Sequence, residues 1–189
     1  MNIKIPKTQF PVSEVVKKRW SARAFSSSPI NEATLKTLIE AATWAASSNN
    51  EQPWLYTYAL KADTERFEKF HSCLLAGNQP WAKNAAVLLL SCVRTTFAAN
   101  GKPNKSALHD VGGANTTLML EAIQHNIYGH MMGGYDVEKT KALFELPEGV
   151  EPVIFIALGY LDAPETLEEP FKTRELTARS RKKVDEVLF

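Results

Sequence analysis

Two arginines flank a serine near the start of the chain. Arg19 and Arg23 are four residues apart, so they share one face if the preceding helix continues through them, with the Ser21 hydroxyl between them. Two guanidinium groups and a hydroxyl suit a phosphate or another planar anion. The same residues would also serve as a solvated basic helix end that interacts with the helix dipole. On this segment alone, both interpretations stay open.

A second basic run lies near the end of the chain. It contains Arg179 and Arg181 around Ser180, followed by Lys182 and Lys183. Such a run, taken by itself, is typical of a solvated surface.

Polar residues also concentrate between a predicted helix and a predicted strand. The side chains of Asn50 and Gln52 each offer a donor and an acceptor, which is enough to recognise the edge of a heterocycle. Ser47 and Ser48 precede them, and Pro53 stiffens the approach to the strand. A plain polar turn explains the same composition equally well.

Paired glycines, Gly133 and Gly134, precede a helix that begins after Asp136. Without side chains, their backbone can approach a flat ligand closely and present N–H groups to it. The alternative is an ordinary turn.

Several familiar catalytic patterns are missing from the sequence. It contains no G-x-G-x-x-G, no G-x-x-x-x-G-K-[ST] and no G-x-S-x-G. The pairs His71/Cys73 and His125/His130 match no zinc-ligand spacing. We therefore predict neither a catalytic side chain nor a metal site.

Composition limits the class of protein. The 189 residues are 44% hydrophobic and 23% charged, as expected for one globular domain with a sizeable core. Two cysteines, no apolar leader and a longest apolar run of nine residues at 85–93 predict a cytoplasmic protein without membrane contact.

Charge is unevenly distributed along the chain. Residues 1–23 carry six basic side chains against one acidic, and residues 172–183 repeat that ratio, although the net charge of the whole chain is only +1. The near-neutral total and the acidic central part argue against a nucleic-acid partner.

Helices and strands alternate only loosely, and no glycine fingerprint follows a strand, so we expect an α+β fold rather than a parallel Rossmann sheet. Apolar spacing predicts a short helix after Ser13 and a longer one after Asn31. After Pro164 the core pattern disappears, and the tail is expected either to dangle or to wrap a partner. The other predicted elements are helices over 63–74, 106–126 and 136–146, strands over 54–60, 85–93 and 153–160, and a short strand or turn over 130–135.

In this order, the segments resemble the nitroreductase family of FMN-dependent oxidoreductases. Each motif is weak alone, but the ordered set at these spacings is specific and spans nearly the whole chain. The motifs are R-x-S-x-R-x-F at 19–25, S-x-N-x-Q-P-W at 48–54, M-G-G-Y-D at 132–136, L-P-E-G at 146–149, A-L-G-Y at 157–160 and R-x-R-K at 179–182.

The resemblance implies a nitroreductase-like α+β sandwich, with a central mixed β-sheet surrounded by helices. It also implies an intertwined homodimer with exchange of C-terminal arms and FMN sites at the subunit interface. Residues 1–189 would form a single domain, and residues 164–189 would be the arm that wraps the partner subunit. The long helix over 106–126, softened by Gly112 and Gly113, would pack at the dimer interface.

The resemblance also implies roles for individual residues. Arg19 and Ser21 would bind the ribityl and phosphate end of FMN, and Arg23 the pyrimidine edge of the ring. The phosphate would be held by Arg179 and Arg181.

Further contacts would come from the polar segment and the glycines. Asn50 and Gln52 would bind the ring or the ribityl chain, and Ser47 and Ser48 would come from the other subunit. The expected set is completed by Met132, by Gly133 and Gly134 at flavin N5, and by Trp20.

Two positions depart from the common family pattern. Trp20 stands where a second basic residue or a histidine is frequent, and it either walls the substrate pocket or stacks on a neighbour. Gly133 stands where many members carry a glutamate. Both differences bear on the substrate more than on the cofactor.

The implied activity is a ping-pong cycle in which NADH or NADPH reduces FMN, which then reduces a nitroaromatic, a quinone or a similar small electron acceptor. No protein side chain needs to act as a nucleophile. A specialised flavin reaction on the same fold (dehalogenation, enoate-like reduction or flavin fragmentation) and a non-catalytic FMN-binding protein are the alternatives.

Overall fold

A four-stranded antiparallel sheet forms the centre of the molecule, in a computed structural model that describes residues 3–189. The strand order is β1-β2-β4-β3, so β1 and β3 are the edges. The strands are β1 (Trp54–Leu60), β2 (Val87–Arg94), β3 (Tyr128–Met132) and β4 (Val150–Gly159).

The central strand β2 is buried on both faces, as its unbroken apolar run predicts. Val87 and Leu89 point into one hydrophobic cluster, whereas Leu88 and Leu90 point into the other. Successive side chains of a strand alternate between faces, so β2 joins the two halves of the core.

Helices cover both faces of the sheet. α2 and α5 pack together over one face, while α3, α4 and α6 lie over the other with the segment that follows α1. The helices are α1 (Glu14–Lys18), α2 (Glu32–Thr43), α3 (Thr64–His71), α4 (Gln79–Ala82), α5 (Ala107–Gln124), α6 (Val137–Phe144) and α7 (Phe171–Leu176).

Three of the predicted helix starts are confirmed by capping bonds, whereas the Ser13 side chain makes no capping bond at the start of α1. The side chains of Asn31, Asp63 and Asp136 accept hydrogen bonds from backbone N–H groups three residues further on, which satisfies a donor that would otherwise be unpaired. The strand predicted over 54–60 is confirmed with those bounds.

All four strands of the central sheet pair antiparallel, where the resemblance implied a mixed sheet. Within residues 3–189, parallel pairing occurs at one isolated bridge, between Ser21 and Gly129. The N-terminal segment runs along β3 in the same direction but pairs with it at a single point, so it adds no fifth strand.

The tail beyond Pro164 contains a helix that the sequence did not predict. α7 buries Phe171 and Glu175, and the Lys4 ammonium donates to the carbonyl oxygens of Arg174 (3.0 Å) and Thr177 (2.6 Å). The tail therefore packs on the N-terminal segment of its own chain as far as Arg179, and exposed residues follow.

Across residues 3–189, none of the helices combines the length and apolar character needed to cross a lipid bilayer.

Candidate functional site

The N-terminal arginines lie on an extended segment, not on a helix. α1 ends at Lys18, and Arg19 has extended backbone angles (φ −62°, ψ 125°). Ala22 and Ala24 are buried, whereas Ser21 is exposed and Arg23 is half-buried. In extended backbone, side chains alternate between the two sides of the segment. This alternation, not helical spacing, therefore places Arg19, Ser21 and Arg23 on the same side of the segment.

Trp20 points the other way, into the core. Its ring meets Tyr128 edge to face at a centroid distance of 6.2 Å, and the Lys4 ammonium lies 4.6 Å from its centroid. Trp20 thus contacts a neighbouring ring edge to face, and it also lines a surface cavity with Arg19 and Ser21.

The guanidinium of Arg179 joins the two ends of the chain. It donates from Nε to the carbonyl oxygen of Lys4 (2.7 Å) and from its two Nη atoms to those of Arg19 and Lys17. The contact brings Arg181 beside Arg19 at a cavity of about 580 Å³ between the N-terminal and C-terminal segments. Arg19, Arg179 and Arg181 are called the basic cluster below.

The basic cluster is short of negative charge. Burial lowers the pKa of Arg19 and of Arg179, and repulsion by Arg181 lowers both further. In the part of the chain that the structure describes, no carboxylate forms an ion pair with any of the three guanidinium groups. Such a cluster is suited to an anion, and most of all to a phosphate.

Arg23 belongs to a stack of three side chains. Its guanidinium carbon lies 5.8 Å from the Trp81 ring centroid, and on that ring lies the imidazole of His130, 4.6 Å between centroids. His130 Nδ1 is 3.0 Å from the carbonyl oxygen of Ala22, which can only accept, so Nδ1 carries the proton. Burial, with the charge of Arg23, lowers the pKa of His130 to about 4, so the ring is neutral at physiological pH.

The paired glycines follow β3 directly. A Cβ at Gly133 would have no heavy atom within 4 Å, so the backbone there is open to a ligand. The carbonyl oxygen of Gly134 is fixed by two donors, Leu75 N–H and Asn78 Nδ2, both at 3.0 Å. The Met132 side chain is buried in the core, which leaves only its backbone for the role implied by the sequence.

Residues 47–52, here called the amide loop, have an unusual backbone. Asn49, Asn50 and Gln52 all have left-handed angles, with φ of 54°, 55° and 52°. Gln52 N–H donates to Ser47 Oγ (3.0 Å), and the Gln52 side-chain amide donates to the Asn50 carbonyl oxygen (3.2 Å). Left-handed conformations cost free energy for residues other than glycine, and they cluster at functional sites.

A buried carboxylate from α5 anchors this loop. Asp110 Oδ2 accepts from the backbone N–H of Ser48 at 3.0 Å, and Oδ1 lies 3.2 Å from His109 Nδ1. The bond joins groups 62 residues apart, which explains why local sequence patterns did not reveal Asp110.

Within one chain, the predicted site residues form two groups. The basic cluster, Ser21, Arg23 and the paired glycines lie along the β3 edge, whereas the amide loop precedes β1 at the opposite edge. Three inter-strand steps of about 4.8 Å separate the two edges. The amide loop thus lies apart from the basic cluster of its own chain.

Sequence reasoning missed four buried polar or aromatic residues beside the β3 edge: Lys4, Trp81, His130 and Glu175. Of these four residues, Glu175 alone could have been noticed in the sequence, because it is the single acidic residue within the basic run 172–183.

The fold and the site define an α+β protein with a phosphate-suited basic cluster at one edge of an antiparallel sheet. The family model described as "Nitroreductase family" matches residues 16–76 and 59–160, well over half of the chain. The chain belongs to the nitroreductase family, and it is an oxidoreductase.

Individual relatives agree with this assignment. An uncharacterized 15.4 kDa protein of Mycolicibacterium smegmatis is 33% identical over 131 residues, which cover 68% of this chain and 84% of the relative. A protein of Archaeoglobus fulgidus named "Putative NADH dehydrogenase/NAD(P)H nitroreductase" is 27% identical over 146 residues, 75% of this chain and 80% of the relative.

Solved structures share the fold. The crystal structure of an oxidoreductase containing FMN has a TM-score of 0.91 and 33% identity, covering 97% of this chain and 93% of that one. A nitroreductase family protein from Streptococcus pneumoniae has a TM-score of 0.75 at 20% identity, covering 93% and 98% of the two chains.

Proposed function

We propose that this chain is an FMN-dependent oxidoreductase that takes electrons from NADH or NADPH and passes them, in a ping-pong cycle, to a nitroaromatic, a quinone or a similar small acceptor. The observation that carries the proposal is the basic cluster, whose three guanidinium groups have no carboxylate partner within residues 3–189. The 33% identical oxidoreductase that contains FMN supports the choice of anion.

The donor set fits FMN in its chemistry. Arg19 and Arg181 would hold the phosphate, and Arg179 would fix the backbone that carries Arg19, because it already donates to the Arg19 carbonyl oxygen. Arg23 would supply a cation at the ring, and the open backbone at Gly133 would let a flat ring approach. FMN, when bound, accepts a hydride at N5 and passes the electrons on.

The amide loop requires a second copy of the chain in this proposal. In a homodimer, the amide loop of one subunit would complete the site at the β3 edge of the other. Ser47, Ser48, Asn50 and Gln52 would then contact the ring and the ribityl chain. The strained, tightly bonded loop would present those groups without further ordering on binding.

The test is FMN affinity of variants in the basic cluster. Replacing Arg19 or Arg181 by alanine removes one charged donor from the phosphate, which is worth about 1.5–3 kcal/mol, so FMN should bind about 10- to 100-fold more weakly. Arg66→Ala removes the same charge from α3, where the guanidinium donates to Tyr58 and Thr57, and it should leave the affinity unchanged. Fluorescence titration of the apoprotein with FMN measures all three.

Reduction by the nicotinamide tests the electron donor. The FMN-loaded protein should lose its flavin absorbance when NADH or NADPH is added without oxygen, and an acceptor should restore it. A protein that takes up no FMN would contradict the cofactor assignment. A yellow protein that neither nicotinamide bleaches would contradict the reaction but leave the cofactor in place.

A further inference from the structure

We propose that Glu175 is a positioning residue for the cofactor: it holds the backbone beside Arg23 and offsets part of the Arg23 charge, so that it influences both the affinity and the midpoint potential of bound FMN. This inference rests on the proposed function. It is based on the position of the buried Glu175 carboxylate of α7, which lies against the extended segment that carries Arg19, Ser21 and Arg23.

The contacts of Glu175 are with the backbone. Its Oε1 accepts from the N–H groups of Arg23 (2.9 Å) and Ala24 (3.1 Å), across 152 and 151 residues of sequence. These bonds hold the segment where Arg23 leaves the core and stacks on Trp81. A shift of this backbone would move the Arg23 guanidinium directly.

The Glu175 carboxylate is buried, and it lies close to two cations. The residue is 3% exposed, and its second oxygen, Oε2, accepts no hydrogen bond within residues 3–189. Burial lowers the pKa of Arg23 and of Lys4, and in both cases the Glu175 carboxylate acts in the opposite direction. Glu175 is therefore a counter-charge for the half-buried Arg23 and the buried Lys4.

Two backbone hydrogen bonds alone would not require a carboxylate. A glutamine oxygen could accept the same two bonds, and it would avoid the cost of removing an ionised group from water. The negative charge of Glu175 must then be balanced by the neighbouring cations. It also weakens the positive electrostatic potential that Arg23 would create at the flavin ring. Reduction adds negative charge to the flavin, so a more positive surrounding makes reduction easier.

Two substitutions separate the backbone contact from the charge. Glu175→Gln keeps an acceptor oxygen for the N–H groups of Arg23 and Ala24 but removes the charge, whereas Glu175→Ala removes both. Glu165→Gln, at an exposed position of the same tail, is the matched control for loss of one negative charge. Each variant is measured for its FMN dissociation constant, by titration of the apoprotein, and for the midpoint potential of bound FMN, against a reference dye.

We expect Glu175→Ala to bind FMN at least tenfold more weakly than the wild type. Glu175→Gln should bind FMN as tightly as the wild type or more tightly, with a more positive midpoint potential, and Glu165→Gln should match the wild type in both measurements. If the alanine variant does not fold, the glutamine variant and the control still decide through the potential.

The proposal is overturned if Glu175→Gln has the potential of the wild type, if Glu165→Gln shifts it as much, or if a folded Glu175→Ala retains wild-type affinity. A wild-type protein that binds no FMN would refute the proposed function instead, and this arm separates the two failures.

Discussion

His130 shows how a single buried residue defines the charge pattern of the site. It lies within strand β3, packs on Trp81 and donates to the backbone of Ala22. Because burial and the charge of Arg23 keep it neutral, the stack carries one positive charge, that of Arg23. A protonated His130 would place a buried positive charge beside Arg23, which the fold disfavours.

This arrangement predicts that the protein loses stability in mild acid. The pKa of His130 is about 4 in the folded protein, against an ordinary value of 6.5 in the unfolded chain. Between these values the unfolded chain binds the proton and the folded one does not. The free energy of unfolding should therefore fall as the pH drops from 6.5 to 4, by on the order of 3 kcal/mol from this group.

Urea unfolding at a series of pH values measures the effect. His130→Gln cannot take up a proton and should show a flatter dependence between pH 6.5 and 4, although it is less stable at neutral pH. Equal slopes in the wild type and His130→Gln would contradict the burial argument.

At the scale of elements, the sequence predicted what local chemistry determines. The helix starts at Asn31, Asp63 and Asp136 and the apolar run of β2 are encoded by neighbouring residues, and the structure confirms them. The basic cluster was predicted in composition, but its geometry was not. Arg19 and Arg23 share a side through extended spacing, not through a helix.

The elements that sequence reasoning missed depend on distant partners. In α7, Glu175 accepts hydrogen bonds from the backbone of Arg23 and Ala24. Lys4 donates to the carbonyl oxygens of Arg174 and Thr177. Each of these bonds joins residues more than 150 positions apart in sequence. No periodicity within the tail could have shown these contacts, because the tail supplies only one half of each.

Close packing between α5 and β3 gives a prediction about an element. A Cβ at Gly129 would overlap the Met119 sulfur and come within 2.9 Å of Leu158 Cδ2. Gly129→Ala should therefore lower the free energy of unfolding by about 1–3 kcal/mol, since the buried Met119 and Leu158 side chains would have to leave their packed positions.

Gly77→Ala is the matched control, because a Cβ there would have no heavy atom within 4 Å. Urea unfolding of both variants gives the comparison. Loss of the same stability in the two proteins would show that the effect comes from the glycine backbone in general and not from the contact with Met119 and Leu158.

For the whole molecule, the distribution of charge explains more than its sum. Two basic ends that are far apart in sequence meet in space, because Arg179 donates to the backbone of Lys4, Lys17 and Arg19. A net charge of +1 thus coexists with a concentrated positive region. A small anionic cofactor fits this distribution better than an extended nucleic acid, which would need a broad basic surface.

The surface of the molecule is consistent with the proposed homodimer. Trp44 is 82% exposed and Leu108, at the start of α5, is 64% exposed. Gly112 and Gly113, further along α5, are exposed too, and a Cβ at either would have no heavy atom of the same chain within 4 Å. Trp44, at the end of α2, and Leu108, on α5, belong to two helices that pack together, so a partner subunit could cover both.

Assembly and cofactor binding should be linked in this protein. Leu108→Glu places a charge on the exposed side of α5 and should weaken the homodimer, and FMN affinity should fall with it because the partner subunit's amide loop would leave the site. Val137→Glu, at a comparably apolar exposed position on α6, should change neither. Sedimentation velocity and FMN titration, run on the same samples across a dilution series, measure both quantities. If FMN affinity in the wild type follows dimer concentration, the site is shared; a wild-type monomer that binds FMN fully would show instead that the amide loop has a different role.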